Sequence, residues 1–331
     1  MASKKLTVAV EMGDDGKDPV RQTVELAEEL GFEAAWLGDH FMPWTHSGGG
    51  AGMVWSLLGV CLERTKKIKL GPLVTTPIGG RYHPTLIAQA SATLDAIYPG
   101  RLLLAVGTGE AINEFPFMQK WPPWKERMGR LVEGVQLMRK LWESESYFDF
   151  EGKYFGKKQI FLYSKPRTNI KVQISAFGRK SAKIAGKYGD GLMTTTARCP
   201  YDTCRDTLFP NFDEGAKEAK KNPSRLDKTI LLNYTFEGEE DYLKFARERA
   251  VGRLGKGALD NSDPRDIENL DTTISREEIL RRMHFCSNWA DLVELISRYR
   301  KIGVTNVILP CGPDAKLLRK YASEILPHFR S

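Results

Sequence analysis

Cysteine is scarce in this 331-residue chain: five residues, Cys61, Cys199, Cys204, Cys286 and Cys311, odd in number and widely scattered. No C-x-x-C pair or other metal-ligand spacing occurs among them, so neither a disulfide framework nor a common zinc site is expected. The usage suits a reducing cytoplasm. Long apolar runs are missing as well. The opening MASKKLTVAVEMGDD turns acidic after about five apolar-leaning residues, too few for a signal-peptide core or a membrane span. Charge of one sign is not in bulk either, since 49 basic and 42 acidic residues leave a formal +7. The two signs alternate in stretches such as EEILRRM and KFARERAVGR, and TKKIK (65–69) is too short for a nucleic-acid stripe. An anionic small ligand is the partner this modest surplus admits. Finally, MGDDGKDP (12–19) supplies no G-x-G-x-x-G after the first apolar segment, which argues against an open dinucleotide-binding sheet.

What is present is a repeated grammar of helix end, glycine and apolar strand, in AEELGFEAAWLGDH (27–40), AGKYGDGLMTTT (185–196) and YRKIGVTNVILP (299–310). A glycine after a helix supplies a left-handed cap, and a strand starting within a few residues is the short connection of α/β units. Further strand candidates are 5–11, 67–74, 101–108, 170–176 and 228–236. Between them VRQTVELAEEL, PTLIAQASATLDAI, KERMGRLVEGVQLMRKLWE and ADLVELISRYRK space apolar residues by three and four, as helices do. About eight such units favour a parallel sheet closed into a TIM-type (β/α)8 barrel over an open one. The expected organisation is one barrel domain over 1–331. Residues 147–166, alternating around Gly152, read as an inserted β-hairpin. Residues 249–274, rich in Gly, Asp and Asn without clear period, read as a lid-like insertion between strands seven and eight.

In a barrel of this kind the site gathers where strands end. GFEAAWLGDHFMPW (31–44) runs as a buried strand and then finishes on Asp39, His40 and Trp44. VGTGEAINE (106–114) ends the fourth strand with glycines that let a ligand approach the backbone, followed by Glu110 and Asn113. ISAFGRKSAK (174–183) ends the fifth at a helix N-terminus with two cations, a place for phosphate. Singly each has an ordinary explanation: a structural histidine, a helix-capping glutamate, surface charge. Their convergence on one end of the barrel is what points to a site.

GDHFMPW, TPIGGRYHPTLIAQASATLDAIYPGR (76–101), VGTGEAINE and the FEGKYF hairpin resemble the luciferase-like barrel family, and within it the branch that uses the deazaflavin coenzyme F420. The resemblance implies a dehydrogenase that moves a hydride from a hydroxyl-bearing carbon to C5 of F420, oxidising a sugar 6-phosphate such as glucose 6-phosphate. Its alternatives are a secondary alcohol dehydrogenase or an F420H2-dependent reductase on the same barrel. It further implies that His40 is the base, that Trp44 packs over the reacting centre, and that Glu110 serves the coenzyme side. Asp39, Thr108, Gly109 and Asn113 would hold the ring. Leu73 and Val74 would form a non-prolyl cis peptide beside it, and Ser175, Ala176, Phe177 and Gly178 would take the coenzyme phosphate. Arg198, Arg282 and Lys256, or Arg253 in its place, would meet the substrate phosphate. Gly13 departs from the pattern, which has a glutamate there, so the role of that carboxylate is either supplied by Glu11 or absent. A homodimer is the implied assembly, with no metal, nucleic acid or membrane partner.

Overall fold

The apolar segments of the barrel become strands because they are buried on both sides, and the two sides take different residues. Among the described residues the strands are β1 (Thr7–Glu11), β2 (Ala34–Leu37), β3 (Lys69–Pro72), β4 (Leu104–Val106), β5 (Phe148–Phe150), β6 (Lys157–Ile160), β7 (Val172–Ser175), β8 (Gly191–Thr195), β9 (Asp227–Leu231), β10 (Tyr234–Phe236), β11 (His284–Cys286) and β12 (Asn306–Pro310). The computed structural model describes residues 5–13, 18–44, 46, 50–236, 257–269, 275, 277 and 282–330.

Eight strands form one parallel sheet in the order β3-β2-β1-β12-β9-β8-β7-β4. Parallel bridges Leu70–Leu102 and Thr75–Val106 join its two ends, so the sheet closes into the expected barrel. Side chains alternate across it. Ala9, Ala34, Trp36, Ala105, Met193, Leu231 and Ile308 fill the interior. Their neighbours Val8, Val10, Ala35, Leu37, Val307 and Leu309 lie in the larger core under the helices. Alanines inside leave room for one large ring, Trp36, which is 2% exposed. The outer layer includes helices Asp18–Glu29, Pro84–Ile97, Trp124–Glu143, Arg179–Tyr188 and Trp289–Lys301. The last begins at Asn288, whose side chain accepts the Asp291 N–H at 3.1 Å.

Three details differ from the pattern reading. Gly31 and Gly303 take the left-handed conformation after their helices, with φ of 87° and 94°, whereas Gly189 does not, at φ −92°. A Cβ on Gly189 would lie 2.8 Å from the Ala185 carbonyl oxygen, so closeness to the chain is what requires glycine there. The segment 228–236 is not one strand. It leaves the barrel at Asn233, where Thr195 Oγ1 donates to Asn233 Oδ1 at 2.5 Å and the Asn233 N–H donates to Thr196 Oγ1 at 2.7 Å, replacing ladder bonds. Beyond it β10 pairs in parallel with β11, a partner the pattern did not show. The third is the segment 249–274, expected as a lid-like insertion, which in its described part carries a short helix, Pro264–Asn269. Residues 249–256 and 270–274 lie outside the described residues. Between β4 and β7, β5 and β6 pair antiparallel.

Candidate active site

A cavity of about 560 Å³ opens at the carboxyl ends of the barrel strands, within the usual range for a small-ligand site. One wall follows β2. Asp39 and His40 line it, joined by Trp44, whose ring meets that of His40 edge-on at 5.4 Å. The Asp39 carboxylate is not simply offered to the cavity. Its Oδ1 pairs with Arg81 Nη1 at 2.9 Å, both side chains nearly inaccessible, and accepts the Tyr82 hydroxyl at 3.1 Å. Burial pushes the Asp39 carboxyl up, with Arg81 and Tyr82 opposing.

The next wall follows β4 and carries Gly107, Thr108, Gly109, Glu110 and Asn113. Gly109 has φ of 76°, and a Cβ there would sit 2.9 Å from both Glu114 Cγ and Thr76 Cγ2, so the turn that presents Glu110 needs glycine. Glu110 occupies the N-cap position of the short helix Ala111–Glu114 yet makes no side-chain capping bond. Instead its Oε2 accepts from Asn113 Nδ2 at 3.0 Å, and Asn113 reaches His40 Nδ1 at 3.2 Å. Beneath this wall lies Glu114, 2% exposed, with Oε2 accepting the Arg81 N–H at 2.8 Å. Burial pushes its carboxyl up to about 7; nearby Asp39 and Glu110 add to the rise, and the Arg81 amide and guanidinium oppose it.

A waist of Leu73, Val74, Ala176, Met193 and Leu231 gives the cavity its apolar middle, and the Leu73–Val74 peptide is cis. The far end is cationic. Ser175, Phe177, Gly178, Arg179 and Lys180 line it at the N-terminus of the helix Arg179–Tyr188, where Ser181 Oγ accepts the Phe177 and Gly178 amides at 3.2 and 3.1 Å. Arg198 lines the same end, its guanidinium 5.3 Å from the Phe177 ring centre. Trp124, Arg127, Met128 and Leu259 complete the lining. Asp260 fastens this part of the lining, accepting Trp121 Nε1 at 2.8 Å and pairing with Arg127 at 3.3 Å.

The cavity therefore brings together Asp39, His40, Trp44, Leu73, Val74, Thr108, Gly109, Glu110, Asn113, Ser175, Ala176, Phe177, Gly178 and Arg198. Arg282 is not among its lining residues; Arg282 Nη1 donates to the Ala197 carbonyl at 3.4 Å, one residue from Arg198. Lys256 and Arg253 lie outside the described residues. Glu11 does not take the place of the glutamate missing at position 13: its Oε1 accepts the Gly13 N–H at 2.8 Å, and neither residue lines the cavity. Pattern reading missed Arg81, Tyr82, Glu114, Arg127 and Leu259. Arg81 and Tyr82 stood in the TPIGGRYHP stretch, where no local signal showed that they meet Asp39.

Residues 5–306 match the model of the luciferase-like monooxygenase family. The chain belongs to the luciferase-like family. Among its relatives, an F420-dependent glucose-6-phosphate dehydrogenase of Segniliparus rotundus is 35% identical over 311 residues, covering 92% of each chain. The enzyme of that name from Mycolicibacterium smegmatis is 34% identical over 321 residues, 94% of each. Among solved structures, an F420-dependent secondary alcohol dehydrogenase in complex with an F420-acetone adduct superposes with a TM-score of 0.90 at 32% identity, covering 99% of this chain and 100% of that one. A coenzyme F420-dependent tetrahydromethanopterin reductase from Methanopyrus kandleri shares the fold, with a TM-score of 0.74 at 22% identity.

Proposed function

We propose that this luciferase-like chain is an F420-dependent dehydrogenase that oxidises a hydroxyl-bearing carbon, with a sugar 6-phosphate such as glucose 6-phosphate as substrate. One observation carries the reading: a single cavity runs from an acid, amide and imidazole wall, through an apolar waist, to a cationic end. The donor set fits F420 in kind. The waist suits a flat ring, Glu110 and Asn113 suit its polar edge, and the helix N-terminus with Arg179 and Lys180 suits an anionic tail. Arg127 Nε, buried and without a hydrogen-bond partner among the described residues, marks a donor on the same lining.

Bound there, F420 supplies the hydride acceptor. The chain supplies position and electrostatics. His40 and Trp44 hold the substrate oxygen at the β2 wall, and Glu110 serves the polar edge of the coenzyme. Trp124, Met128 and Leu259 exclude water, while Arg198 meets the substrate phosphate. Arg282, placed behind Ala197, acts through that segment and not by direct contact. Its absence from the lining also favours a second reading, a secondary alcohol dehydrogenase or an F420H2-dependent reductase, for which no phosphate contact is needed. A homodimer in the cytoplasm completes the proposal. Among the described residues no disulfide joins the buried cysteines, which supports a reducing compartment, and size-exclusion chromatography with light scattering would test the dimer. Among the described residues no helix is long and apolar enough to cross a membrane.

The deciding experiment is a panel of glucose 6-phosphate and small secondary alcohols with F420, FMN or NADP, followed by loss of the oxidised coenzyme's absorbance. Turnover of the sugar phosphate with F420 alone is expected. Turnover of alcohols but no sugar phosphate moves the chain to the second reading, and binding of FMN without F420 ends both.

A further inference from the structure

Arg127 carries a buried charge that its neighbours answer only in part. Its side chain is 6% exposed, and it stands on the helix Trp124–Glu143 among the residues that line the cavity. Nη1 is committed, donating to the Pro122 carbonyl at 2.7 Å and to Asp260 Oδ1 at 3.3 Å. The guanidinium is stacked as well, lying 4.2 Å from the centre of the Trp121 ring. Nε, by contrast, is buried and has no hydrogen-bond partner among the described residues. A buried donor left unmade is costly. In a guanidinium, Nε–H and one N–H of Nη2 project in parallel as a fork that matches two oxygens of a carboxylate or phosphate. That fork is the part of Arg127 left over.

Charge is left over with it. Asp260 is the acidic group that acts on Arg127, yet its side chain is 62% exposed and the same Oδ1 also accepts Trp121 Nε1 at 2.8 Å. Burial pulls the Arg127 pKa down, with Asp260 opposing. Trp124 and Met128, on the same helix, and Leu259, next to Asp260, bring no side-chain oxygen to the lining. Apolar surroundings of this kind strengthen a charge-assisted bond to a ligand that does.

We infer that Arg127 binds an oxyanion, phosphate or carboxylate, through the Nε–Nη2 edge of its guanidinium. The site stands on geometry, while the assignment of its occupant to substrate or coenzyme rests on the function proposed above, in which both carry such a group. Fastening the helix to Pro122 and Asp260 uses Nη1 and the face of the guanidinium, and it makes no use of the fork. Arg198, on the segment after β8 and against Phe177, is a second cation of the lining on a different element.

The test is calorimetric titration of the full-length protein with inorganic phosphate, first ligand-free and then saturated with F420. Arg127→Lys keeps a charged donor for Pro122 and Asp260 but has no fork. It should raise the Kd for phosphate about 10- to 100-fold and leave the ligand-free Tm within about 2 °C. Arg127→Gln, which keeps an N–H for the Pro122 carbonyl, takes its place if the lysine variant does not fold. A difference that persists with F420 bound gives the site to the substrate. One that vanishes on loading, with the Kd for F420 itself raised in the variant, gives it to the coenzyme tail; either result supports the inference. Equal phosphate affinity in wild type and variant overturns it. So does a wild type that takes up no phosphate, or an affinity lost in Arg198→Ala alone. The ligand-free titration needs neither turnover nor F420, so a failed glucose 6-phosphate assay counts against the proposed function and leaves this result standing.

Discussion

At the scale of single residues, the site owes its character to carboxyl groups in unequal surroundings. Glu114 is the extreme case, its Oε2 accepting the backbone amide of Arg81 and its carboxyl pushed up to about 7 by burial. A folded-state value above the ordinary 4.5 means that the native state binds the proton more tightly than the unfolded chain does. The stabilisation is therefore complete below about pH 4.5 and is lost as pH rises through about 7. Glu114→Gln, neutral throughout, should flatten that fall, which is on the order of 3 kcal/mol. Urea unfolding of both proteins across this range measures it, and parallel curves would contradict the burial account. Arg198 is the residue that divides substrate from coenzyme, because it lies against Phe177 at the cationic end. Arg198→Ala should raise KM for a sugar 6-phosphate roughly 10- to 150-fold, the worth of a charge-assisted bond to phosphate. F420 affinity should hold within about 3-fold. The opposite pattern would hand Arg198 to the coenzyme.

At the scale of elements, the informative one is the short stretch Gly257–Asn269, which reaches the cavity through Leu259 and is fastened by Asp260 to Trp121 and Arg127. The Asp260 side chain is 62% exposed, so its loss should change global stability by less than about 1 kcal/mol. Leu259 would lose its anchor. Asp260→Ala is accordingly expected to weaken F420 binding about 5- to 30-fold by titration calorimetry, with Asp260→Asn recovering part of it through the Trp121 bond. Unchanged affinity with reduced stability would make the contact structural only. The elements themselves were legible where their period was long. The helices Pro84–Ile97 and Trp124–Glu143 repeat their apolar spacing over several turns. The β10–β11 pair was not legible, since three residues on each side, 50 positions apart at Tyr234 and His284, leave no local period.

For the whole molecule, the cavity is a property of the closed ring. Its lining draws on the ends of β2, β3, β4, β7, β8 and β9, so a ligand there ties together segments that meet only in the native state. Ligand binding should thus appear as global stability. F420 at about 100 times its Kd should add about 2.7 kcal/mol, raising Tm by about 4 °C for a chain of this length. An equal concentration of FMN should leave Tm in place. A Tm that rises equally with both would remove the preference for the deazaflavin.

The barrel was determined by the sequence alone because its signals are local: alternation such as Val8-Ala9-Val10 sorts side chains between interior and helices within one strand. The strand ends then put Asp39, His40, Glu110 and Asn113 on the same rim before any contact is known. Partnership was decided only by the tertiary structure. Arg81 neutralises Asp39, Glu114 lies buried under Gly109, Glu11 turns to Gly13, and Arg282 stops behind Ala197. The orientation of the Asn113 amide depends on a backbone donor 72 positions away. Hydrogen bonds of that kind are fixed by distances that closing the barrel creates, and the local pattern of a chain carries no record of them.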